Sequence, residues 1–206
     1  MIRAWPPRTD TAYAAEARQH LGPRLRDRFA RVRLLVFDCD GVLTDGRLYY
    51  DAHGEALKAF SARDGFGLAL ARAAGLQLAL LTGRNSAAAA RRAADLGFAA
   101  VRLGRFDKAA GLVEIMGELD ADREETLYMG DDLVDIPALD RCGVPVTVPE
   151  APADVQQRCC YIARRPAGNG AVREVAELVL ASRRLLGQAL RRLTEEPVGP
   201  RPGETP

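Results

Sequence analysis

Three largely apolar runs, each ending in a polar cluster, constrain this chain more than any other feature. They are residues 32–37 (VRLLVF), 76–81 (LQLALL) and 126–129 (TLYM). Their length and composition suit strands buried on both faces. Helix-like stretches separate them: 64–74 ended by Gly75, a stretch capped by Asn85 and ended by Gly97, and 107–119. A further short strand is expected near 99–101, a short helix near 134–141, and a last helix over 170–193. Strands alternating with helices form parallel βαβ units. The expected fold is therefore α/β: a single Rossmann-like three-layer domain with a parallel sheet. Ligands in such folds bind beyond the carboxyl ends of the strands. The polar clusters stand at those ends: Asp38-Cys39-Asp40, Thr82-Gly83 and Gly130-Asp131-Asp132.

The domain is expected over 32–194. Residues 1–31 read as an appended N-terminal arm, opening with Trp5-Pro6-Pro7 and helical to about residue 28. Residues 195–206 (EEPVGPRPGETP) read as a disordered tail. Residues 47–51 and 55–60 flank Ala52-His53-Gly54 and form a β-hairpin.

With 48% hydrophobic residues and a net charge of +1, the composition is that of a globular domain, not of a charged disordered chain. The first 33 residues carry a surplus of Arg, which could touch nucleic acid. Little aromatic interleaving accompanies it, so a solvated helix face and no nucleic-acid partner are expected. No run is long and apolar enough to span a bilayer, and no secretion signal is expected. Cys39, Cys142, Cys159 and Cys160 form no CxxC pair. They are expected as buried thiols in a reducing, cytoplasmic setting.

Side chains two apart on a strand share a face, so Asp38 and Asp40 are expected to converge. Paired carboxylates repel unless a cation lies between them, and hard oxygen ligands suit Mg²⁺. Thr82 and Gly83 offer a hydroxyl and backbone N–H groups to a phosphate oxygen. Only two of the 29 basic residues are Lys, at 58 and 108. Lys108, beside Asp107, supplies a compact ammonium where a guanidinium is too bulky. Asp131 is expected to complete the metal site with Asp38 and Asp40. Asp132 and Asp135 are expected to stand behind those ligands, although helix capping is an ordinary use for such acids.

DCDGVLTDG (38–46), LLTGR (80–84), Lys108 and MGDDLVD (129–135) occur in the order of the haloacid dehalogenase superfamily. The chain resembles its capless branch: the gaps after the first two motifs leave room for a small β-hairpin flap and no large cap. GEALKAFSARDGFG (54–67) and AGNGAVRE (167–174) further resemble the 3-deoxy-D-manno-octulosonate 8-phosphate phosphatase family. One position departs from that family's pattern, with Ala167 standing where Gly is usual.

The resemblance implies a Mg²⁺-dependent phosphatase acting through a phosphoaspartate on Asp38. Asp40 would be acid and base, and Thr82 and Lys108 would hold the phosphoryl oxygens. It implies a small phosphorylated acid sugar as substrate, with Arg63, Arg84 and Arg173 as candidates for its carboxylate. It also implies a homo-oligomer, commonly a tetramer, built through the Tyr49/Tyr50 hairpin. Two alternatives stay open: a phosphatase for a nine-carbon acid sugar 9-phosphate, and a non-catalytic oligomerisation module.

Overall fold

Burial on both faces decides which runs become central strands. The structure, a computed structural model, describes residues 8–195; Trp5-Pro6-Pro7 and the tail from residue 196 lie outside the described residues. β1 (Leu34–Phe37) is buried throughout and lies mid-sheet. β4 (Gln77–Leu81) and β5 (Ala100–Arg102) follow on one side; β6 (Thr126–Met129), β7 (Val144–Thr147) and β8 (Tyr161–Ile162) follow on the other. All six strands run parallel. The α/β expectation is met.

Register aligns the strand ends. Phe37 lies level with Leu80 on one side and Met129 on the other. Asp38, Leu81 and Gly130 therefore leave the sheet side by side. The chain winds one way from β1 and then back across to β6, so the crevice opens at the switch point of the strand order.

Helices cover both faces. α1 (Asp10–His20), α2 (Pro23–Arg31), α3 (Ala62–Ala73), α8 (Ala171–Ser182) and α9 (Leu186–Glu195) pack together. α4 (Ala87–Leu96) lies beside α3, whereas α5 (Lys108–Glu118) and α6 (Ile136–Leu139) pack against each other and the sheet. Residues 8–31 are not a loose appendage. Tyr13, Ala17, Leu21 and Phe29 are buried in the common core, and Arg28 donates to the Gly143 carbonyl. The arm is two helices, not one, because Gly22-Pro23 restarts the chain at a new first turn.

Other boundaries differ from the sequence reading for identifiable reasons. Ser86, not Asn85, caps α4, its hydroxyl accepting from the Ala89 N–H at 3.3 Å. The last helix breaks where Arg184 takes a φ of +57°, giving α8 and α9. β7 and β8 were not expected. β7 contains Pro145, which usually argues against a central strand. Its carbonyl faces Cys160 N at 2.9 Å, beside an edge strand only two residues long, so the missing N–H falls where the sheet runs out.

β2 (Tyr49–Asp51) and β3 (Gly54–Leu57) form the antiparallel hairpin. Asp64, buried on α3, caps α8 from outside it, accepting from Gly170 N at 3.1 Å and Arg173 N at 2.8 Å. That cap fixes the 166–170 loop. Gly168 there has φ +59°, and a Cβ would lie 2.5 Å from the Thr44 carbonyl carbon, so glycine is required. Ala167 is buried without positive φ, so the departure at that position leaves the loop's shape intact.

Candidate active site

Past Phe37 the chain turns out of the strand. Asp38 remains at the sheet's edge, its Oδ1 accepting from Cys39 N at 2.7 Å. Lys108, at the head of α5, reaches back to it. The ammonium lies 2.9 Å from Asp38 Oδ1 and 3.1 Å from Asp135 Oδ1, and donates to the Leu81 carbonyl at 2.9 Å. With its side chain 2% exposed, Lys108 spends its three donors on these three oxygens.

Asp131 follows β6. Carboxylate oxygens of Asp38, Asp131 and Asp135 lie within 4.8 Å of one another. Gly41 permits this closeness: a Cβ there would meet Asp131 Oδ2 at 2.0 Å. Asp135 is wholly buried and its oxygens are occupied. Tyr128 Oη donates to Oδ1 at 2.6 Å; the backbone N–H groups of Asp131 and Asp132 donate to Oδ2 at 3.0 and 3.2 Å. It shapes the 130–135 loop. Asp132 is exposed and caps the next turn, accepting from Leu133 N at 2.7 Å.

The electrostatics are those of crowded acids. Burial, then the charge of Asp135, pushes Asp38 up to about 6 against the pull of Lys108. Burial and the charges of Asp38, Asp135 and Asp132 push Asp131 up to about 8. Burial alone would lower Lys108, but Asp38 and Asp135 hold it above its ordinary value. Asp131 Oδ1 is buried without a hydrogen-bond partner. An orphaned carboxylate oxygen amid three acids fits a hard dication. Asp38 and Asp131 have oxygens to offer it, while those of Asp135 are already taken.

This crowding has a measurable consequence. A dication must displace the Asp131 proton, so its affinity should rise about tenfold per pH unit between about pH 6 and 8, more steeply below 6 where Asp38 is protonated too, then level off. The carboxyl is raised above its unfolded value, so the metal-free fold loses stability as pH climbs from about 4 to 8. Calorimetric Mg²⁺ titration in buffers of different ionisation enthalpy checks this. An affinity flat in pH would contradict it.

The side chain of Asp40 is not in the cluster. Strand alternation does not carry to Asp40, because residues 38–40 are no longer strand. Asp40 turns instead to Lys58, with Nζ 2.5 Å from Oδ1, and Asp135 takes its expected place among the converging acids. Asp38, Asp40, Thr82, Gly83, Arg84, Lys108, Asp131 and Asp132 line one cavity of about 460 Å³. Arg63 and Arg173 do not reach it. They line a separate cavity beside α1 and α8, where Arg173 pairs with Glu177 at 2.8 Å and lies over the Phe66 ring. Arg63 also borders a smaller cavity with Asp45 and Gly168. Lys58 escaped the sequence reading, although its rarity was the signal used for Lys108.

Residues 55–143 match the family model of the haloacid dehalogenase-like hydrolases. The chain is 38% identical to the 3-deoxy-D-manno-octulosonate 8-phosphate phosphatase KdsC of Haemophilus influenzae, over 76% of this chain and 87% of that protein. It is 37% identical to the KdsC of Escherichia coli K12, over 82% of this chain and 91% of that protein. The Moraxella catarrhalis phosphatase of the same name, solved with magnesium, phosphate and a KDO molecule, superposes with a TM-score of 0.80. Their identity is 33%, covering 84% of this chain and all of that one.

Proposed function

The chain belongs to the haloacid dehalogenase-like hydrolases, within the 3-deoxy-D-manno-octulosonate 8-phosphate phosphatase family, and from that premise we propose that it removes the phosphate of that acid sugar with Mg²⁺ as cofactor. The single observation that carries this reading is the buried Asp38–Lys108 pair with the partnerless Asp131 oxygen beside it. A silent oligomerisation module would have no use for three mutually repelling acids at one strand edge.

Asp38 is the nucleophile. Oδ1 is held by Cys39 N and Lys108, which aims the carboxylate at the cavity. Its oxygen bonds to phosphorus as the P–O bond to the sugar breaks, and Asp40 gives the leaving oxygen a proton. Asp40 then takes a proton from the water that cleaves the phosphoaspartate, releasing phosphate and restoring both acids. Bound Mg²⁺ offsets the repulsion between carboxylate and phosphate. The Thr82–Gly83 turn, at the end of β4, offers its hydroxyl and N–H groups to the phosphoryl oxygens, and Lys108, its donors already spent, acts on them as a fixed positive charge behind Asp38. Asp135 keeps the 130–135 loop and the Lys108 ammonium in place.

Arg84 is the one arginine of the three candidates at this cavity, and the reading gives it the sugar carboxylate. The proposed enzyme is a homotetramer in the cytoplasm. The hairpin supports assembly, with Tyr49, Tyr50 and Leu57 exposed together, and light scattering would count the subunits. The four unpaired thiols suit a reducing compartment. Among the described residues no helix is long and apolar enough to cross a membrane.

A panel of acid sugar phosphates assayed with Mg²⁺ tests the substrate. The eight-carbon 8-phosphate should have the highest kcat/KM. A clear preference for a nine-carbon 9-phosphate would instead support the alternative substrate.

A further inference from the structure

The side chains of both lysines of the chain are buried, and each holds one of the two aspartates of the Asp38-Cys39-Asp40 turn. Lys108 holds the nucleophile. Lys58, just past β3 on the hairpin, holds Asp40 and has no part in the mechanism above. Its side chain is 1% exposed, and its ammonium lies 2.5 Å from Asp40 Oδ1 and 3.2 Å from Glu55 Oε2. Glu55 is itself tied to the Ser86 hydroxyl at the head of α4. Two carboxylates thus offset the cost of burying Lys58.

The contact is one-sided. Asp40 Oδ1 is taken by Lys58, while Oδ2 is buried with no hydrogen-bond partner and lies 3.7 Å from Arg84 Nε. A carboxylate pinned at one oxygen cannot rotate to exchange the two. Arg84 Nη1 in turn meets the Tyr50 hydroxyl at 3.1 Å, so the hairpin approaches both edges of Asp40.

We propose that Lys58 is the positioning residue for Asp40: it pins Oδ1 from the hairpin and so leaves Oδ2, free of any hydrogen bond, as the oxygen that meets the leaving oxygen and then the hydrolytic water once the sugar carboxylate draws Arg84 off it. The inference rests on the reading of Asp40 as acid and base. The proton traffic is unchanged: Oδ2 gives its proton as the sugar oxygen leaves, and recovers one from water. Lys58 keeps all its protons throughout and touches no reacting atom.

The test is a leaving-group comparison. An alkoxide leaving from a sugar phosphate needs a proton; 4-nitrophenolate does not. Lys58→Met should slow single-turnover phosphorylation by the sugar phosphate on the order of 10²-fold, with KM and 4-nitrophenyl phosphate phosphorylation changed less than about threefold. Equal losses with both substrates would mean a merely structural role, and no loss would mean no role; either overturns the proposal. If Lys58→Met does not fold, Glu55→Gln decides, because it removes the second anchor of Lys58 and leaves its charge. The same selective loss, smaller in size, is then expected, and its absence overturns the proposal. Asp40→Asn separates the two layers. If it spares sugar phosphate phosphorylation, the reading of Asp40 has failed. If it abolishes that step while Lys58→Met leaves it intact, only the inference about Lys58 has failed.

Discussion

Asp38→Asn is expected to reduce turnover by at least about 10⁴-fold while the protein remains folded, because an amide cannot form the bond to phosphorus that the proposed mechanism gives to Asp38. The amide keeps the side chain's shape and an oxygen to accept from Cys39 N, now at 2.7 Å. It loses the negative charge that helps push Asp131 up to about 8, so the Asp131 carboxyl should titrate lower in the variant. Lys108 retains Asp135 at 3.1 Å, which limits the damage to the core. Circular dichroism and a thermal melt should therefore look native without metal, and Mg²⁺ should bind more weakly. Near-normal turnover would remove Asp38 from the role of nucleophile.

The second large effect concerns Lys108, and it falls on stability as well as activity. Lys108→Met strands Asp38 and Asp135, both buried, without a cation. Breaking a buried pair in this way costs about 3 kcal/mol or more. For a domain of this size that is roughly 10 °C in the metal-free Tm. Added Mg²⁺ should recover part of the loss, since it supplies the missing positive charge to the same acids. Activity should not recover: kcat should stay down by about 10²-fold or more, for want of a fixed charge on the phosphoryl oxygens. Lys108→Arg should behave similarly, because three acceptors within 3.1 Å leave no room for a planar fork. A metal-free melt equal to that of the unaltered protein would contradict this account of the buried ammonium.

Much of the fold was readable because β1, β4 and β6 are short apolar runs with polar ends. Hydrophobic burial on two faces writes itself plainly into sequence. β7 and β8 were not readable, because Pro145 and a two-residue edge strand carry no such signal. The helix break at Arg184 is likewise hidden, since a non-glycine residue adopts the left-handed conformation there.

The site was legible as a set of positions and less so as directions. Asp38, Thr82, Lys108 and Asp131 converge because parallel strand ends must. Asp40 is not legible from strand alternation, because it lies three residues beyond the strand, where the chain has already turned. Arg63 and Arg173 were chosen by motif, and motif spacing does not say which side of a helix pair a guanidinium leaves from. Asp135 stands behind the ligands as expected, but its four hydrogen-bonding partners, Tyr128 Oη, Lys108 Nζ and two backbone N–H groups, assemble only in three dimensions.

Rapid-quench trapping of the phosphoenzyme, followed by peptide mapping, tests the central claim most directly. During turnover of the sugar phosphate with Mg²⁺, the phosphoryl group should be found on Asp38, at a level that rises and decays at rates matching turnover. Phosphate on any other side chain, or full turnover with Asp38 never modified, would contradict the account.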